Sequence, residues 1–332
     1  MRVMLATICL NEMEWLPKLV EQHRDWPGLV NWTFVEGCDP EYARANPDFV
    51  DRFGLSKDGA TDFLLSNCCG TANKMYHVPQ GNSTGGDVYP ADQYKCLLRN
   101  QYLNHVEHFK PDFIVQLDAD EFYTKEDQQR INDLAMFYFY PGSPITSIML
   151  RQRHIWRPPS ICPRCEGTGS ILSPIPQCEP SRSYHHDCPD CDGSDIGYTP
   201  LFSQEVIGGY WQVPHTRIWK YIPGMRHVRN HNWPEVDGRY LTSGMARIDL
   251  DPPHVPRPQC VHLGYASSSR NRKAKADYYL ARGEGSEGGR VGRKRSMYVD
   301  CRDAHLNWKP GDVLPHGARV LPYDGPVPEV FR

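Results

Sequence analysis

The stretch FIVQLDADEFYT, residues 113–124, runs from an apolar segment straight into Asp118, Asp120 and Glu121. Phe113 to Leu117 have the length and side chains of a buried strand. Two aspartates separated by one residue at the end of a strand can present oxygens to a hard divalent cation, which a diphosphate also ligates. The same acids would also suit a solvated turn before a helix, so the flanking sequence decides.

Working outward, residues 2–8 predict a strand. Leu16, Leu19, Val20 and His23 follow at the i, i+3, i+4, i+7 spacing of a helix face, with Pro17 admissible in its first turns. NWTFVEG at 31–37 predicts a second strand ending in Glu36 and Gly37. Residues 38–91 look irregular, and PQGNSTGGD at 79–87 reads as an exposed loop. A helix near 91–106 places Tyr94, Leu97, Leu98 and Tyr102 on one face, a second spans 125–138, and ITSIML at 145–150 is another strand. Strands alternating with helices predict a doubly wound α/β sheet. Ligands in such sheets bind beyond the carboxyl ends of the strands. Asp118, Asp120, Glu36 and the turn from Cys9 to Glu12 all fall there and are expected to share one crevice.

The composition, 39% hydrophobic and 23% charged over 332 residues, is that of a folded globular chain. A formal net charge of −3 gives no global polyanion-binding signal, so any nucleic-acid surface has to be local. The apolar run from Val3 to Leu10 is too short to span a membrane and has no small-residue cleavage site. A soluble cytoplasmic protein with no membrane partner is expected.

Among the twelve cysteines, four form two pairs, Cys162 with Cys165 in CPRCEGTG and Cys188 with Cys191 in CPDCDGSD. Four such thiolates can close a tetrahedral zinc site, which leaves no open position for catalysis. The pairs resemble the C-x-x-C-x-G-x-G repeats of DnaJ-type chaperones, with a departure at Asp195. The expected organisation is a nucleotide-binding half at 1–157, a zinc-binding insertion at 158–200, an acceptor-side half at 201–308 with a helical segment at 270–283, and an extended tail at 309–332.

LDADEFYT closely resembles the metal motif of the GT-A glycosyltransferases, in the family 2-like branch. TICLNEMEWLPKLVEQH resembles that family's first strand, Asn-Glu turn and helix, and LLRNQYL at 97–103 is similar to its Arg-Asn helix. HTRIWKYIPGMRHVRNHNW at 215–233 and CVHLGYASSSRNRKAKADYY at 260–279 resemble later segments in the same order. The resemblance implies a Rossmann-like GT-A core and metal-dependent transfer from a nucleotide sugar, with UDP favoured by family habit. It implies Mn2+ or Mg2+ at Asp118 and Asp120 with His262 as a further ligand, and donor contacts from Thr7, Glu12, Glu36, Lys95, Arg99 and Asp118. Where relatives have His followed directly by Glu, this chain has His231 separated from Glu235. Glu235, Asp237 and His231 are therefore all candidates for the catalytic base, with Glu235 favoured.

Basic residues crowd between Arg270 and Arg295, ending in Arg293, Lys294 and Arg295, and could form a phosphate-contacting arm. Arg153 and Trp156, in RQRHIWR at 151–157, join them as expected acceptor contacts. These features make a 5-hydroxymethylated pyrimidine in DNA the leading acceptor, as in bacteriophage DNA modification, which would place the protein in a bacterial or phage-infected cell. A glycan or cell-surface polysaccharide precursor is the alternative acceptor. A non-enzymatic zinc-ribbon binding protein on a degenerate transferase scaffold is the alternative class.

Overall fold

The structure, a computed structural model, describes residues 1–38, 40–68, 74–81, 91–156, 170–174, 183–187, 204–207, 215–248, 257–263, 311 and 319–332. Trp156 and the strands within 170–207 are described by backbone alone. The chain divides into two compact units, one of Met1–Arg153, Gln212–His262 and Gly325–Arg332, the other of His154–Trp211 and Leu263–Asp324. Among the described residues no helix is long and apolar enough to cross a membrane.

The first unit is α/β, as its alternating pattern predicts. Its elements begin with β1 (Val3–Cys9), α1 (Leu16–His23), β2 (Leu29–Glu36), α2 (Pro40–Ala45), α3 (Ala60–Cys68), β3 (Met75–Pro79), α4 (Ala91–Phe109), β4 (Phe113–Gln116), β5 (Glu121–Phe122), α5 (Lys125–Tyr138) and β6 (Ser147–Trp156), the last of which belongs to this unit as far as Arg153. The second unit takes up the chain with β7 (Ser170–Pro174), β8 (Ser183–Asp187) and β9 (Gln204–Ile207). The first resumes with β10 (His215–Lys220), β11 (Glu235–Val236), β12 (Arg239–Tyr240), β13 (Met245–Arg247) and β14 (Gln259–His262), and β15 (Arg319–Pro322) returns to the second.

In the first unit β3, β2, β1 and β4 lie side by side and parallel. β10 follows antiparallel between β4 and β6, and β13 pairs parallel with β6. Every residue of β4 is buried, as is β1 apart from the half-buried Ile8, which suits strands covered on both faces. On one face Tyr94, Leu98, Tyr102, Leu103 and Val106 of α4 pack on Met4, Ala6, Val35, Ile114 and Trp219. On the other, the His23 ring meets Trp32 edge-on, Trp32 Nε1 donates to Thr7 Oγ1 at 3.0 Å, and Phe113 meets Phe139 just beyond α5. Helices therefore cover both faces.

Two segments depart from the sequence reading. Residues 38–91, expected to be irregular, contain α2, α3 and β3. Their patterns are weak for physical reasons: α3 buries only Ala60 and Leu64, and β3 is an edge strand with no fully buried residue. In the segment 158–200 β7 and β8 form an antiparallel ladder from Ser170↔Asp187 to Pro174↔Ser183, although neither strand alternates in polarity. The second unit also pairs β9 with β15 and with the His154–Trp156 end of β6. Cys162, Cys165, Cys188 and Cys191, the 270–283 segment and Arg293, Lys294 and Arg295 lie outside the described residues.

Candidate active site

The acids of the opening stretch lie where β4 ends at the carboxyl edge of the sheet. Glu121 N donates to the Asp118 carbonyl at 3.0 Å, and Asp118 N donates to Glu121 Oε2 at 3.1 Å, closing the turn on itself. Thr124 ends the turn as the N-cap of α5, its hydroxyl accepting from Asp127 N at 3.0 Å. β14 pairs with β5 so that His262 stands opposite Glu121, which brings His262 Nε2 to 3.6 Å from Asp120 Oδ1.

Two buried arginines converge on this turn. Arg217, from β10, donates from Nη2 to Asp118 Oδ2 at 2.6 Å and from Nε and Nη2 to Glu121 Oε1 at 3.0 and 2.6 Å. Arg99, from α4, donates from Nη2 to Asp118 Oδ1 at 3.3 Å. The Gln116 amide is best oriented with its oxygen toward both guanidiniums, accepting from Arg217 Nη1 at 2.9 Å and from Arg99 Nη1 and Nη2 at 2.9 and 3.2 Å. Gln152 donates to the Oε1 of Glu121.

Burial shapes the charges here. Glu121 has no exposed surface, and desolvation pushes its carboxyl up; the Arg217 charge opposes the shift and Asp118 adds to it. For Arg217 desolvation works against the cation, but Asp118 and Glu121 outweigh it and hold the group charged.

No three His, Cys, Asp or Glu side chains among the described residues gather as a metal site. The turn does offer Asp120 and His262 as an oxygen and a nitrogen donor close together. Magnesium and manganese commonly take one or two protein ligands and fill the remaining positions with phosphate oxygens and water. The donor set fits such an ion.

The other expected donor residues lie along the same edge. Glu36 ends β2 with no exposed surface; its oxygens accept from Ser56 N at 3.0 Å, Thr61 Oγ1 at 2.7 Å and His77 Nε2 at 2.8 Å. Burial disfavours its charge, yet those donors hold its pKa below the ordinary carboxylate value. Thr7 is fully buried and its hydroxyl is committed to Trp32. Glu12 lies in the turn that leads into α1, its carbonyl accepting from Trp15 N and Leu16 N, and Lys95 stands one helical turn before Arg99. Gly37 and Gly81 close this edge: a Cβ on Gly37 would lie 2.6 Å from the Gly81 oxygen.

A relay of side chains ties the turn to residues 227–240. The Gln116 amide lies 3.5 Å from the Tyr102 hydroxyl, which lies 3.3 Å from His227 Nε2. Asn100 clamps the His227 backbone from both sides, donating to its carbonyl and accepting from its N–H, each at 2.8 Å. Beyond it β11 and β12 form a hairpin whose two turn residues, Asp237 and Gly238, have φ of 49° and 74°, the left-handed pair of a type I′ turn. Of the candidate bases, Asp237 is exposed on that turn, Glu235 is buried and accepts from Arg229 Nη2 at 2.5 Å, and His231 is half-buried before it. Arg153 is buried, donating to Gln259 Oε1 at 3.3 Å.

Arg217 was the site residue that sequence reasoning missed. It is a single arginine in HTRIWK, and nothing local announces partners almost a hundred residues earlier. The Asp-Gly pair at 237–238, by contrast, is a readable hairpin signal.

No family model and no curated protein matches the chain. Among solved structures it is similar to S. aureus TarS 1-349 in complex with UDP-GlcNAc, at a TM-score of 0.37 and 9% identity, covering 92% of this chain and 72% of that one. Another is the mannosyltransferase PcManGT from Pyrobaculum calidifontis in complex with GDP-Man and Mn2+, at a TM-score of 0.32 and 10% identity over 92% of this chain and 70% of that one. A further TarS structure is matched over 46% of this chain at a TM-score of 0.28 and 11% identity; the match spans about a fifth (21%) of that longer chain.

Proposed function

We propose that the protein is a GT-A-type glycosyltransferase that moves a sugar from a nucleotide-sugar donor to an acceptor hydroxyl. The observation supporting this reading is the carboxylate turn at the end of β4, with Asp120 beside His262 and with Arg99 and Arg217 beneath Asp118. In sugar transfer the acceptor oxygen bonds to the anomeric carbon while the bond to the diphosphate breaks, and the departing group takes the electron pair. Asp120 and His262 are the residues that would hold Mn2+ or Mg2+, and a bound cation would offset charge on the departing diphosphate. Arg99 and Arg217 keep two fixed positive charges next to that position without reorganisation. Glu235 is the residue we assign to take the acceptor proton, with its carboxylate oriented by Arg229.

Both acceptor classes present an alcohol to such a site, a glycan hydroxyl or the hydroxymethyl group of a modified pyrimidine in DNA. The cysteine pairs, expected from the sequence to hold a structural zinc, and the basic run that motivate the DNA acceptor are outside the described residues, so the site itself favours neither. The donor half can be tested alone, by incubating the protein with Mn2+ and a panel including UDP-GlcNAc, UDP-glucose and GDP-mannose. Nucleoside diphosphate should be released from one donor and not by Asp120→Asn. Equal release by that variant would remove the carboxylate turn from the chemistry.

A further inference from the structure

Arg217 contacts three residues at once, and each belongs to the carboxylate turn or to the strand leading into it. β10 pairs Ile218 with Val115, and continuing that antiparallel register sets Arg217 against Gln116 at the last position of β4. From there its guanidinium spans Gln116 at 2.9 Å, Asp118 at 2.6 Å and Glu121 at 2.6 Å. It is 5% exposed. Glu121 is enclosed by donors, with Arg217 and Gln152 on one oxygen and the Asp118 N–H on the other, so it serves as an anchor inside the turn. Asp120 sits between these two held residues and faces His262.

We propose that Arg217 is a positioning residue for the cation site: by pinning Asp118 and Glu121 it fixes the turn in the shape that lets Asp120 and His262 take up a divalent ion. This inference rests on the glycosyltransferase reading above. It has a sign that separates it from plain electrostatics. A guanidinium close to a cation repels it, so charge alone would make removal of Arg217 tighten cation binding. Positioning requires the opposite. Partners that orient metal ligands without touching the metal typically change its affinity by about tenfold to a hundredfold. Lysine should be a poor substitute, because one ammonium cannot reproduce a planar fork that reaches three acceptors.

The test is Mn2+ binding, followed by the paramagnetic resonance signal of free Mn2+, with UDP or GDP present. Wild type is compared with Arg217→Gln, Arg217→Lys and Asp120→Asn. Arg217→Gln and Arg217→Lys should each weaken Mn2+ uptake by about tenfold or more. Arg217→Lys keeps the buried charge, so it carries the test if Arg217→Gln does not fold. Wild-type affinity, or tighter binding, in either folded Arg217 variant would overturn the positioning role while leaving the cation reading in place. If wild type takes up no more Mn2+ than Asp120→Asn with either nucleotide, the cation reading itself falls and this assignment with it.

Discussion

Arg217 Nη2 lies 2.6 Å from Asp118 Oδ2 and 2.6 Å from Glu121 Oε1, so one nitrogen of one guanidinium bridges the two acids that bracket Asp120. The bridge joins an antiparallel strand to the turn after β4, which makes the turn part of the sheet's framework.

Replacing Glu121 with Leu should be costly. The side chain is fully buried, and removing it leaves Arg217 with one fewer anion and Gln152 without its acceptor. A broken buried pair costs about 3–5 kcal/mol. Urea denaturation should show a loss in that range, and a loss below about 1 kcal/mol would mean the pair contributes no more than a surface ion pair.

Two buried imidazoles should each take stability away as the pH falls. Desolvation lowers His23 from 6.5 to about 3 against the opposing Leu19 carbonyl, while Nε2 accepts from Tyr123 N at 3.1 Å. Desolvation also lowers His227 to about 3, with the Arg99 charge adding to it. Both are neutral in the folded chain and protonate near 6.5 once unfolded, so the unfolded state binds more protons between those values. Their contribution is complete above pH 6.5 and is lost as pH falls toward 3, at about 1.4 kcal/mol per pH unit for each histidine. Denaturation midpoints measured at pH 7, 6 and 5 should therefore depend less on acid in His23→Gln than in wild type, by one histidine's share, and identical pH dependence in the two proteins would contradict the buried neutral imidazole.

The last residues brace the turn from outside. The Phe331 ring meets Phe122 with centroids 4.9 Å apart and Trp15 at 6.3 Å, and Lys18 Nζ lies 4.5 Å over it. Glu329 accepts from Gln22 Nε2 at 2.6 Å and from Lys125 N at 3.1 Å. Phe331→Ala should cost about 1–2 kcal/mol, since an aromatic pair contributes about 0.5–1.5 kcal/mol beyond area and a cation over the ring adds to it. A thermal melt unchanged by Phe331→Ala would contradict this bracing.

Gly37→Ala should be among the most damaging small changes. Its Cβ would press within 2.7 Å of both the nitrogen and the oxygen of Gly81, and both contacts are backbone. The edge holding Glu36 would have to shift, at a cost of about 2 kcal/mol or more, read as lost soluble yield and a lower melting temperature.

The elements that bury a regular face were legible in the sequence, because burial imposes a period. α1 buries the predicted Leu16, Leu19, Val20 and His23, and α5 spans 125–138 as read. α3 and β3 escaped because they bury little and so impose little pattern. The carboxylate turn was visible as local composition. Its arginine partners come from α4 and β10, and the pairing of His262 with the turn depends on the register of β14 against β5; only tertiary structure supplies these relations.

Sugar transfer itself is tested most directly by mass spectrometry of acceptors incubated with the protein, Mn2+ and a panel of nucleotide sugars. Oligosaccharides and DNA carrying 5-hydroxymethylcytosine or 5-hydroxymethyluracil are the two acceptor arms, and Asp120→Asn is the control. We predict a sugar mass increment on one acceptor class, from one donor, that disappears in the variant. An increment that survives Asp120→Asn, or no increment and no nucleoside diphosphate release from any donor, would contradict a transferase centred on the 118–121 turn.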